Sequence, residues 1–263
     1  MLDAFTATNA TAIFSQTPFF TRDEFAAQYV EAGHSWSSVE ARLRYHCAAG
    51  RIVRVRRGLY ASYAVEWDPF VLAAKLAPNP IIAYEGALAF HKLRGVEHSM
   101  PIAAARSIAP FAFDEIVYRA TPHPLPRGEE QLYTSTTPRW DVTLRVTSPA
   151  RTFVDCLDRL HLGPGFIETL EAFTSKPDFR IDFNEAVSYV RKLRSQVTAA
   201  RVGACLWAHP QWNSVSYDQQ FALARLIRQT TYAVPPPIEE PSYLGRFRLV
   251  VPGAFLSAAH RRE

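Results

Sequence analysis

The sequence predicts an α+β fold: a small helix-and-hairpin module at the N-terminus, then a larger domain in which a small, mostly antiparallel sheet precedes a C-terminal helical bundle. Three observations predict it. Two helix-start signals fall close together before residue 50, β-prone stretches divided by prolines fill residues 100–147, and helix starts return from Ser148 onward. At 263 residues the chain has room for about two domains of roughly 100–150 residues each. Its 48% hydrophobic and 21% charged residues are ordinary for a globular protein.

The first helix starts on two devices at once. Thr21 and Glu24 have capping-box spacing, and Phe20 and Phe25 occupy the two hydrophobic-staple positions. The helix carries Phe25, Tyr29 and Ala32 on one face and stops at Gly33. Ser37-Ser38-Val39-Glu40 then has the spacing of a second capping box, so two short helices follow one another across a tight turn. On the second helix Val39, Leu43, His46 and Cys47 share the inward face, while Ser37, Ala41, Arg44, Tyr45 and Ala48 face the other way. Gly50 ends it. Arg51 to Arg56 alternates like a strand, Arg57-Gly58 makes a turn and Leu59-Tyr60-Ala61 returns. Helix, turn, helix and hairpin in that order are the parts of a winged helix-turn-helix.

Charge says what such a module would grip. Six arginines lie between Arg42 and Arg57 with no acid among them, more positive charge than the net +4 of the whole chain at a pI of about 9.0. The second helix is expected in a DNA major groove, with Arg44 and Tyr45 reaching base edges or phosphates and Arg42 and Arg51 beside them. Trp36, Ser37 and Ser38 sit where a positive helix end and free amides would hold a phosphate. Arg54, Arg56 and Arg57 form the hairpin tip, whose counterion release gives affinity without sequence preference. RNA is the alternative ligand, since winged helices also bind it, although no aromatic stacking sheet is evident.

A domain boundary is placed between residues 66 and 67, giving a winged module over 1–66 and a second domain over 67–263. Asp68-Pro69 opens that domain as a cap followed by proline. Within it, residues 67–147 read as sheet-rich, 148–230 as helical and 231–263 as a tail. Strands are expected over 102–108, 115–120, 131–137 and 142–147, with Thr121-Pro122-His123-Pro124 as one of the turns. Helices are expected from Ser148-Pro149, after Gly163-Pro164-Gly165, over 182–194, 197–208 and 216–229. The tail holds a strand pair or loop over 243–251 and a basic end, His260-Arg261-Arg262.

No catalytic constellation emerges. Asp155 with Asp158, and Glu168 with Glu171, have the spacing of solvated helix faces, and Arg151 with Asp155 that of a surface i,i+4 pair. His91, His98 and His123 lie on separate elements without ligand spacing. Phosphate-loop, dinucleotide, zinc-protease and nucleophile-elbow motifs are missing from the sequence. Cys47, Cys156 and Cys205 are too scattered for a zinc site and read as free thiols in a reducing compartment. No apolar run approaches the ~20 residues of a membrane span. The expectation is therefore a non-enzymatic, cofactor-free cytoplasmic protein.

Three stretches carry a resemblance to a known family. They are Gly50-Arg51-Ile52-Val53-Arg54-Val55-Arg56-Arg57-Gly58-Leu59-Tyr60, then the segment from Ala83 to Leu93 (AYEGALAFHKL), then that from Val146 to Leu157 (VTSPARTFVDCL). In this order and spacing the chain resembles the AbiEi-type antitoxins of bacterial type IV toxin–antitoxin systems. The resemblance implies a winged helix that binds inverted repeats in its own promoter and represses its operon. It also implies a C-terminal domain that counters a nucleotidyltransferase-type toxin, without catalysis or cofactor. By position, DNA contact falls on the helix from Ser37 to Tyr45 and on Arg54 to Arg57. Arg151 and Asp155 match the third stretch in a structural capacity. The alternative is a stand-alone winged-helix regulator whose C-terminal domain senses a ligand or partner.

Overall fold

The computed structural model describes residues 12–96, 98–123, 131–137, 140–176, 179–209 and 217–260. Pro124, Arg261 and Arg262, which the sequence places in a turn and in the basic end, lie outside them. The chain groups into two compact units that interleave in sequence. The first holds residues 1–82, 102–122 and 132–145, and the second holds 83–101, 123–131 and 146–263. The sequence reading draws a single cut after residue 66, whereas packing keeps residues 67–82 and most of the sheet with the N-terminal module.

In the first unit, β1 (Phe19–Thr21), α1 (Arg22–Glu31), α2 (Val39–Ala48), β2 (Ile52–Arg56) and β3 (Leu59–Ser62) follow one another. The strands form an antiparallel sheet in the order β1-β3-β2. The start of α1 is as the sequence predicts. Thr21 Oγ1 accepts from the Glu24 amide at 3.1 Å, and Glu24 Oε2 accepts from the Thr21 amide at 2.7 Å. The rings of Phe20 and Phe25, both buried, lie 6.1 Å apart. Ile13, Phe14, Val39, Leu43, Ile52 and Tyr60 close the core around them, with Tyr29 and Cys47 at its edge.

The second capping box does not form. Ser35 caps instead, accepting from the Ser37 amide, and Trp36–Ser38 is a separate 3-10 turn leading into α2. Ser38 makes no side-chain cap bond, and Glu40 turns away to Arg22, Nε to Oε1 at 2.5 Å.

After β3 the chain does not run free. Trp67 Nε1 donates to the Ser62 carbonyl at 2.7 Å, and Asp68 caps α3 (Pro69–Lys75) by accepting from the Phe70 amide at 2.8 Å. Lys75 reaches back to pair with Glu24 of the α1 cap. A six-stranded sheet follows in the order β6-β7-β5-β4-β9-β8, most of it in this unit. Its strands are β4 (Ile81–Ile82), β5 (Ser99–Ala103), β6 (Ile108–Phe113), β7 (Ile116–Thr121), β8 (Gln131–Thr137) and β9 (Trp140–Val146). The single strand expected over 102–108 is thus the end of β5 and the beginning of β6, and β4 carries no sequence signal. Phe113 of β6 lies 5.9 Å from the Phe19 ring and 4.8 Å from that of Trp67, so the N-terminal module rests on a strand from later in the chain.

The second unit begins with α4 (Tyr84–Phe90) and is otherwise built on α5 (Pro149–Asp158), α6 (Phe166–Thr174), α7 (Phe183–Leu193), α8 (Gln196–Ala208) and α9 (Tyr217–Ala224). The starts of α5 and α7 follow the predicted chemistry: Ser148 and Asp182 cap them, with Pro149 in the first turn of α5. A three-stranded sheet, β10 (Thr231–Tyr232), β12 (Leu249–Val251) and β11 (Ser242–Leu244) in that order, packs on α8. Gly203 of α8 lies so near Phe247 that a Cβ there would stand 2.5 Å from the ring, which explains the glycine inside a helix. A last helix, α10 (Gly253–His260), replaces the tail expected from sequence.

Arg151 and Asp155 are not a surface pair. Each is 1% exposed, with Arg151 Nε 3.6 Å from Asp155 Oδ2. His123 completes the group: Arg151 Nη2 lies 2.8 Å from its Nδ1, and its Nε2 lies 3.0 Å from both Asp155 oxygens. A guanidinium only donates, so Nδ1 accepts and Nε2 carries the proton donated to Asp155. Asp158 is no free carboxylate either, since Thr198 donates its hydroxyl to it at 2.5 Å.

Candidate nucleic-acid interface

The outward arc of α2 is as the periodicity requires. Ala41, Arg44, Tyr45 and Ala48 are exposed, while Val39, Leu43 and His46 are buried. Tyr45 is 51% exposed and lies between two guanidinium groups, Arg42 at 5.2 Å and Arg51 at 5.9 Å from its ring centre. Cation–π contacts of this kind hold long side chains near one geometry and lower the entropy lost on binding. Arg44 is not part of the stack, and its Nε donates to the Glu40 carbonyl of its own helix at 3.4 Å.

The hairpin places its arginines unequally. Arg54 and Arg57 are exposed, with Arg57 next to Gly58, whose φ of +77° suits glycine in a two-residue turn. Arg56 departs from the expected tip cluster. The register shifts between Arg54 and Arg56, and the Arg56 guanidinium lies half-buried over the Phe111 ring at 5.7 Å. A local bulge re-aims the side chain from solvent onto the neighbouring sheet.

The turn before α2 also differs from its reading. Trp36 is 51% exposed, beneath Arg22 at 5.4 Å. The amides of Ser37 and Ser38 already donate within the turn, to Ser35 Oγ at 3.3 Å and the Ser35 carbonyl at 3.0 Å, so these two are not free to hold an anion. Arg22 and Glu40 at this edge escape sequence reasoning. Their ion pair joins residues 18 positions apart, beyond any helical spacing.

His46 sits under the basic arc, 1% exposed, its ring edge-on to Phe14 at 4.9 Å. Neither ring nitrogen meets a hydrogen-bond partner among the described residues. Burial, with Arg42 and Arg51 adding to it, pulls its pKa down to about 4. The unfolded chain takes up a proton near the ordinary value of 6.5 while the folded one does not. Stability is therefore complete above pH ~6.5 and falls as the pH drops toward ~4, by roughly 3 kcal/mol in all. His46→Leu should remove most of this slope in urea melts taken across that range; an unaltered slope would place its origin elsewhere.

Over this segment the chain is similar to one class of known protein, the transcriptional regulators. Residues 10–63 match the family model described as "Transcriptional regulator, AbiEi antitoxin". The match includes the first of the three stretches named above and ends before the other two. The fold has a similar solved structure, that of the RV2827C protein from Mycobacterium tuberculosis, with a TM-score of 0.62 and 13% identity, covering 97% of this chain and 93% of that one. At that identity the likeness is one of fold. No curated protein is significantly similar in sequence.

Proposed function

We propose that the chain is a DNA-binding regulator whose N-terminal unit works as a winged helix-turn-helix. The helix α2 enters the major groove and the hairpin β2-β3 lies along the adjacent backbone. One observation carries this reading: Arg44, Tyr45 and Arg51 around α2, and Arg54 and Arg57 on the hairpin, are exposed in a stretch without an acidic residue. The family match over the same residues supports it. Arg44 is the base reader, since it alone among the helix arginines is both exposed and clear of the Tyr45 stack. Arg42, Arg51, Arg54 and Arg57 hold phosphates. Trp36, Ser37 and Ser38 shape the approach to the helix.

The DNA is the promoter of its own operon, read as an inverted repeat and repressed. In this reading the remainder of the chain, with its helices acting as a bundle, counters a nucleotidyltransferase-type toxin without catalysis or cofactor, in the cytoplasm. Two experiments test these parts separately. In anisotropy titrations, Arg44→Ala should cost roughly 1–3 kcal/mol against the native promoter duplex and relax preference at one base position. Equal losses on promoter and random duplex would make Arg44 a phosphate contact. Co-expression with the product of the adjacent gene should restore growth that this product alone arrests. No rescue would leave a stand-alone regulator.

A further inference from the structure

An open depression of about 710 Å³ separates α2 from the hairpin, with three cations, Arg22, Arg54 and Arg57, and two acids, Asp23 and Glu40, among the residues that line it. Its cations come from different elements: Arg22 opens α1, Arg54 belongs to β2, and Arg57 is in the turn. Where a helix occupies one groove and a hairpin the next, the sugar-phosphate strand between the grooves passes through the space that separates them. We infer that this depression is a phosphodiester seat, that Arg22 is a DNA contact within it, and that Glu40 competes with the phosphate for Arg22. The inference rests on the DNA-binding reading above and extends it to a residue on the first helix and to an acid that restrains it.

The geometry of Arg22 suits that task. Its Nε lies 2.5 Å from Glu40 Oε1 in an ion pair, and its guanidinium carbon lies over the Trp36 ring at 5.4 Å. Its side chain is 36% exposed and that of Glu40 is 52% exposed, so both can be reached from outside. A guanidinium offers five donors, and the two carboxylates beside it, Glu40 at Nε and Asp23 3.9 Å from Nη1, do not exhaust them. Before DNA arrives, Glu40 keeps Arg22 extended along the seat rather than loose in solvent. When a phosphate enters, it meets a prepositioned donor and, close by, a carboxylate that repels it. The acid thus lowers affinity for every duplex alike, leaving discrimination to the contacts α2 makes with bases.

The full chain should be titrated by anisotropy against a labelled duplex from upstream of its own gene, at salt from about 50 to 200 mM. Arg22→Gln should weaken binding and flatten the salt slope by about one unit, as expected when one phosphate is no longer neutralised. Glu40→Gln should tighten binding by about fivefold, the Boltzmann factor for one like-charge contact at ~4 Å in water. That gain cannot come from a damaged fold. If both substitutions weaken binding together and lower the melting temperature, the pair merely braces the two helices and the inference is overturned. If Arg57→Ala alters the slope while neither Arg22→Gln nor Glu40→Gln moves binding, the seat is wrong and the DNA reading survives. A wild-type chain that shows no salt-dependent duplex binding removes both.

Discussion

Arg151→Ala is expected to destabilise the protein by about 3–5 kcal/mol, the cost of leaving a buried charge without its partner. Arg151 and Asp155 are both 1% exposed, and the arginine also lies over the Tyr189 ring at 5.8 Å. Removing it takes away the donor to His123 Nδ1 and the cation beside Asp155, while His123 Nε2 remains as a donor to that carboxylate. The double change Arg151→Met with Asp155→Leu should cost much less, since well-packed apolar replacements of a buried ion pair are often near neutral. Urea denaturation of the three proteins measures both figures. A loss below about 1 kcal/mol for Arg151→Ala is what an exposed i,i+4 pair would give, and would contradict the burial.

Arg54→Ala combined with Arg57→Ala should flatten the salt dependence of duplex binding by nearly two units, about 0.9 for each phosphate that goes without its cation. At ~0.1 M salt that corresponds to affinity weaker on the order of 50-fold, and equally so on promoter and random DNA. Arg56→Ala should leave the slope where it was, because its guanidinium rests on Phe111 rather than at the exposed tip. The change should register as a modest loss of stability instead. If Arg56 alone shifts the slope and the Arg54, Arg57 pair does not, the hairpin meets DNA by another face.

Much of the architecture is legible because its signals are local. Thr21 with Glu24, Asp68 with Pro69, Ser148 with Pro149, and Asp182 each announce a helix within a few residues, and each cap bond forms. Ser37 and Glu40 have the same spacing and fail, because Ser35 takes the Ser37 amide and Arg22 takes the Glu40 carboxylate. The helix face that packs inward could be read from its period. Which arginines point outward could not, since a bulge between Arg54 and Arg56 is invisible in an alternating pattern. The burial of Arg151 was hidden for a related reason. The i,i+4 spacing names one partner, and His123, 28 positions earlier, is supplied only by tertiary structure. The final helix begins at Gly253, directly after Pro252, in a stretch that the sequence reads only as a tail.

The packing of Phe19 and Trp67 against Phe113, together with Arg56 on Phe111, bears on how the molecule can be divided. The aromatic floor beneath the hairpin is made by β6, Ile108–Phe113, well downstream of Trp67 in the chain. A fragment severed after residue 66 would take its cations with it and leave that floor behind, exposing Phe19 to water. On the proposed reading, the hairpin's hold on DNA depends on a strand that the sequence supplies much later, and whatever loosens β6 weakens that hold.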